Sequence, residues 1–115
     1  MQIVYATSSL HKRLTIENKL IKAFDRMVVN EIKARLAELG NANSLADIPE
    51  LPQPPRLHEY KHQNRGKFSV DIGKKCRLIF EVQDGDVPRS EAGRPKWAEI
   101  KAIRILEALD PHKGS

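Results

Sequence analysis

The sequence predicts an α+β fold in which an N-terminal strand and helices pack on a small, twisted, mainly antiparallel β-sheet. Three observations carry that prediction. Between residues 18 and 40, Leu20, Ile21, Phe24, Val28, Ile32, Leu36 and Leu39 recur at spacings of three and four, which lines one face of a helix. Between residues 67 and 83 the period changes to two. Phe68, Val70 and Ile72 alternate with Lys67, Ser69 and Asp71, and Leu78, Phe80 and Val82 alternate with Arg77, Ile79 and Glu81. Four of the seven prolines, Pro49, Pro52, Pro54 and Pro55, fall between these regimes, where they forbid a ladder or a long helix. With 115 residues the chain is sized for one core, so residues 1–115 read as a single domain.

Taken in order, residues 2–6 are short and β-rich through Ile3, Val4 and Tyr5. Thr7, Ser8 and Ser9 follow with hydroxyls suited to capping a helix whose first turns run through Leu10 and Leu14. The periodic stretch from 18 to 40 is one helix or two, with Asp25 as the dividing point and Gly40 just past the end. Residues 42–55 are a stiff connector, tucked onto the core by Leu45, Ile48 and Leu51. Strands are expected over 56–61, 67–72 and 76–83, with Gly66 in the first turn and Gly73-Lys74-Lys75 as a tight hairpin. This alternation puts Ser69 and Arg77 on one exposed face. Residues 84–96 are turn-rich and predict a long, mobile hairpin loop. Residues 97–109 carry both periods, and the need for an antiparallel partner favours a strand for the later part.

Charge concentrates where the strands begin. Between residues 56 and 77 lie Arg56, Lys61, Arg65, Lys67, Lys74, Lys75 and Arg77 against Glu59 and Asp71, a net of +5 that equals the formal charge of the whole chain. Such a local positive field on a sheet suits a polyanion. With six aromatic residues, several stacked bases are hard to accommodate. The single cysteine, Cys76, excludes an internal disulfide and a multi-cysteine zinc site, and no apolar run near the start suggests a signal peptide or membrane span. A reducing, cytoplasmic setting is expected. A basic face with histidines suits metal-free RNA cleavage, which needs a base, an acid and cations for the phosphate. His58, His62, His112, Lys61, Arg65 and Arg77 are the candidates by residue type, and composition carries the reading only to a basic, RNA-binding chain.

Arg56-Leu57-His58-x-x-Lys61, Gly66-Lys67-Phe68-Ser69-Val70-Asp71, Cys76-Arg77-Leu78-Ile79-Phe80 and Asp110-x-His112 resemble the HigB-type toxins. These form the plasmid maintenance killer branch of the RelE/ParE toxin–antitoxin superfamily, and the likeness spans nearly the whole chain. It implies a RelE/ParE-like fold and a ribosome-dependent, metal-independent mRNA endoribonuclease that inhibits translation. It also implies no cofactor, and a HigA-like helix-turn-helix antitoxin, the ribosome and mRNA as partners. On the matching positions it implies acid–base or catalytic roles for His58, His112, Arg77 and Asp110 and a phosphate contact for Lys61; Arg65, Lys67 and Ser69 join Lys61 as RNA- or phosphate-binding candidates. Two departures stand out. The family's C-terminal tyrosine is Pro111 here, which has neither hydroxyl nor π-system, and Tyr60 is the nearest substitute among the strands. Ser69 and Asp71 stand where the RelE branch has lysines, which favours HigB-like over RelE-like chemistry. The rival readings are a non-catalytic ParE-like toxin acting on DNA gyrase and a plain nucleic-acid-binding domain.

Overall fold

The computed structural model describes residues 1–109, so Asp110 and His112 lie outside the described residues. Strand β1 (Gln2–Tyr5) leads into α1 (Ser8–Thr15), α2 (Glu17–Ala23) and α3 (Arg26–Asn41), followed by β2 (His58–Glu59), β3 (Lys67–Ile72), β4 (Cys76–Val82) and β5 (Ala102–Leu109). Thr7 caps α1, its Oγ1 accepting the Leu10 N–H at 3.0 Å. The periodic stretch divides at Phe24, whose extended backbone breaks the helix while its side chain stays in the core. Gly40 lies inside α3 rather than past its end; the helix runs to Asn41 and stops at the extended Ala42. Gly40 lies beside Ile3 of β1, which an added Cβ would meet at an ordinary contact distance of 4.0 Å.

The five strands form one sheet in the order β1-β5-β4-β3-β2, parallel between β1 and β5 and antiparallel elsewhere. One face is the core face. Phe68, Val70, Ile72, Leu78, Phe80, Ile103 and Ile105 are all at most 1% exposed there, beneath the helices and their buried Leu14, Leu20, Ile32 and Leu39. Each such side chain contributes about 1.5–3 kcal/mol of burial. Phe68 and Phe80 stand directly opposite each other with ring centroids 5.8 Å apart, and Trp97 meets Phe68 edge-on at 5.6 Å.

Strand β2 is shorter than the 56–61 expected from its composition. Arg56 (φ 61°) and His62 (φ 59°) bracket it in the left-handed region, where a non-glycine residue interrupts a ladder. The segment at 84–97 is not an open loop. It folds back on itself through an Arg89–Pro95 bridge, with Lys96 N–H donating to Pro88 O at 2.8 Å. Arg89 then ties it to β2 by donating to both carboxylate oxygens of Glu59, at 2.6 and 2.9 Å.

Candidate functional site

The face opposite the core is built from rows of residues that the register sets side by side. Directly opposed residues in a sheet project to the same face. One row is His58, Ser69, Ile79 and Glu107; a second is Asp71, Arg77 and Leu109; a third is Lys67, Glu81 and Arg104. Tyr60 joins the third through its N–H on Lys67 O at 2.9 Å. His58, Lys67, Ser69 and Arg77, predicted from sequence to act together, therefore share one face. Standard strand spacing and rise put the His58 and Arg77 Cα atoms about 12 Å apart, within reach of a phosphate held between the two side chains.

His58 is the best-positioned titratable group of this face. Its Nδ1 lies 2.8 Å from the Arg56 carbonyl oxygen. A carbonyl only accepts, so Nδ1 carries the proton and Nε2 is left open as a base when neutral and a donor when charged. The backbone of Arg56 supplies this arrangement. In a continued ladder the Asp71 N–H would bond the Arg56 carbonyl opposite it; instead it bonds Pro55 O at 2.7 Å, and the left-handed Arg56 turns its carbonyl to the imidazole. Tyr60 meets the His58 ring edge-on, centroids 5.5 Å apart, so a phenol ring stands beside the histidine. Position i+2 on the same strand was the available signal for it.

Two expectations need correction. Ser69 faces the right side of the sheet but is fully buried, and its Oγ has no hydrogen-bond partner among the described residues. It sits between the larger His58 and Ile79 on the flanking strands, which shut it off from any phosphate on this face. The face is also less positive than the sequence window suggests. Arg56, Lys67, Arg77 and Arg104 are offset by Asp71, Glu81 and Glu107, two of which come from β4 and β5, beyond the window. Arg104 pairs with Glu81 at 2.8 Å and Arg56 with Asp71 at 3.5 Å, which leaves Lys67 and Arg77 as the cations without an ion pair among the described residues.

Lys61 and Arg65 lie elsewhere. They line a groove on the outer side of β2, with His58, Tyr60 and His62 on one wall and Arg94, Pro95 and Trp97 on the other. His58 and Tyr60 border both surfaces, so the edge strand is the ridge between the open face and the groove. The far wall is held by the Glu59–Arg89 pair, whose side chains are 13% and 20% exposed. The Arg89 hydrogen bond holds the Glu59 carboxyl below its ordinary value, burial opposes this, and the Gly66 N–H and the charges of Arg89 and Arg65 reinforce it. The same bond raises Arg89. This clamp is absent from the sequence reading because its partners stand thirty residues apart.

Among the described residues no three His, Cys, Asp or Glu side chains are grouped to hold a metal ion, and no helix is long and apolar enough to cross a membrane. No protein-family model matches the chain, and no curated protein matches it. Solved structures do. A YoeB/ParE toxin from Agrobacterium tumefaciens matches with a TM-score of 0.53 and 14% identity, over 96% of this chain and 98% of that one. The YoeB–YefM complex from Staphylococcus aureus matches with a TM-score of 0.52 and 15% identity, over 94% and 93%. At such identities the likeness is one of fold: three helices on a five-stranded mixed sheet, as in YoeB/ParE toxins.

Proposed function

We propose that this chain is the toxin of a type II toxin–antitoxin pair, an endoribonuclease of the HigB type that cuts mRNA on the ribosome. A HigA-like helix-turn-helix antitoxin would neutralise it in the cytoplasm. One observation carries the reading: on a YoeB/ParE-like fold, His58, whose Nδ1 is engaged by the Arg56 carbonyl, shares a sheet face with Lys67 and Arg77, which have no ion pair among the described residues. In the reaction a 2′-hydroxyl attacks the adjacent phosphorus, its proton passes to a base, and an acid protonates the departing 5′-oxygen. The products are a 2′,3′-cyclic phosphate and a 5′-hydroxyl end. His58 takes one proton-transfer role through Nε2, and His112, oriented by Asp110, takes the other. Arg77 and Lys67 stabilise the crowded phosphate by preorganised charge. Tyr60 supplies the aromatic hydroxyl that Pro111 lacks. Lys61 and Arg65 hold flanking phosphates along the groove, so their loss weakens binding in a salt-dependent way.

The test is induced expression of wild type, His58→Ala and His58→Ala/His112→Ala, with growth followed and mRNA 5′ ends mapped. New 5′-hydroxyl ends in translated mRNA, lost with toxicity in the folded variants, are expected; a fully toxic double variant would sink the site. A second reading, a non-catalytic toxin acting on DNA gyrase, draws support from the three carboxylates on the open face, which oppose a polyanion there. Inhibition of purified gyrase with mRNA left intact would select it.

A further inference from the structure

The open face holds one feature that phosphate binding leaves unexplained. Strands β4 and β5 pair regularly from Val82–Ile103 through Phe80–Ile105, but Ile79 then stands opposite Glu107, not Leu106. The register slips by one residue at Ile79/Phe80, and Leu106 is the extra residue of a bulge. Without the slip, Leu106 would lie opposite Ile79 and Glu107 would be turned to the core side. The bulge brings a carboxylate onto the open face. Bulges re-aim side chains in this manner beside active sites.

The carboxylate sits on the rim of a shallow basin of about 270 Å³. Ile79 and Leu106 give the basin its apolar lining and Tyr60 its aromatic one, and Asn64 and Lys67 stand with Glu107 as the polar groups. The face's other carboxylates, Asp71 and Glu81, are each paired with an arginine. Glu107 makes neither an ion pair nor a hydrogen bond among the described residues. An unpaired carboxylate beside a polyanion's path repels phosphate, which costs affinity for any ligand that does not neutralise it with donors.

Apolar lining, one aromatic ring, an amide and a lone carboxylate are the components of a nucleobase site, where a base is stacked and read on its Watson–Crick edge. We infer that this basin is a base-recognition subsite and that Glu107 selects guanine. Guanine presents two adjacent donors, N1–H and the N2 amino group, which a carboxylate accepts as a pair of charge-assisted hydrogen bonds. Adenine and cytosine present one amino donor beside a ring-nitrogen acceptor that the carboxylate repels, and uracil one N–H between two carbonyls. Asn64 supplies a further contact of either polarity. Tyr60 borders both the basin and the ring of His58, so a base seated here places its own phosphodiester near the histidine. The inference rests on the reading that this face takes RNA.

The experiment is a ¹H–¹⁵N titration of the intact protein with 3′-GMP, 3′-AMP, 3′-CMP and 3′-UMP, for wild type and Glu107→Gln. The expected result is perturbation of the Tyr60, Asn64 and Glu107 amides with 3′-GMP bound about tenfold more tightly than the others, a preference of the size one bidentate base contact supplies. Glu107→Gln brings 3′-GMP to the level of the other three while the rest of the spectrum is unchanged. Equal binding of all four, or a guanine preference that survives Glu107→Gln, overturns the assignment. So does a stronger response of the same amides to arginine methyl amide, whose two-donor fork would mark the basin as a contact for a protein partner. Cut sites in mRNA without guanine enrichment would remove the subsite and leave the nuclease. Guanine-selective binding without any mRNA cleavage would do the reverse.

Discussion

Replacing Arg89 with alanine should loosen the whole β2 edge. Arg89 donates to Glu59 at 2.6 and 2.9 Å and to the Gly93 carbonyl at 3.1 Å, between side chains that are 20% and 13% exposed. Arg89→Ala leaves Glu59 with the single Gly66 N–H at 2.8 Å. Hydrogen bonds to charged groups are worth about 1.5–3 kcal/mol, and partial solvent access pulls the pair toward the middle of that range, about 2 kcal/mol. With a urea m-value of about 1.5 kcal/mol/M, the unfolding midpoint at neutral pH falls by roughly 1.3 M. The sign of the pH dependence follows from Glu59. Its carboxyl is held below the ordinary 4.5, so its contribution is complete above that value and is lost as the pH falls through the lower folded value. Urea unfolding of wild type, Arg89→Ala, Glu59→Gln and the double variant should give a coupling of about 2 kcal/mol at pH 7 that shrinks under acid conditions. An unchanged midpoint for Arg89→Ala at pH 7, or a coupling that does not respond to acid, would refute the clamp.

Gly73 adopts φ 65° in the β3–β4 hairpin, and an added Cβ would overlap the Glu31 carboxylate of α3. The carboxylate is the far end of a flexible side chain and can swing away, so the cost of Gly73→Ala is the left-handed backbone, about 1–2 kcal/mol. Glu31→Ala should therefore fail to restore the thermal midpoint; full recovery would mean that the overlap dominates. Ser69→Ala removes a buried hydroxyl that has no partner among the described residues, so it should be neutral or stabilising by up to about 1 kcal/mol, with toxicity retained. Loss of toxicity in a stable Ser69→Ala protein would return the hydroxyl to the site.

Local pattern was enough for most of the elements. A period of three and four marked the helices, a period of two marked β3 and β4, and Thr7 announced its helix, because these signals depend on neighbours a few residues apart. The same alternation placed Lys67, Ser69 and Arg77 on one face, since residue parity survives folding, whereas His58 joins them through the β2–β3 register. Parity does not reveal what flanks a residue. Ser69 was assigned to solvent, and the side chains on both adjacent strands bury it. The positive field was overstated for a related reason: charge summed along residues 56–77 omits Glu81 and Glu107, which the strand order carries onto the same surface.

Tertiary structure alone decided the rest. The Glu59–Arg89 clamp joins residues thirty positions apart, the bulge that exposes Glu107 is a property of the β4–β5 register, and the His58 tautomer depends on the left-handed backbone of Arg56. The chain by itself determined where the main helices and strands form and which face the residues of β3 and β4 take. The fold decided what each face meets, because contacts across a sheet are set by long-range pairing that composition does not encode.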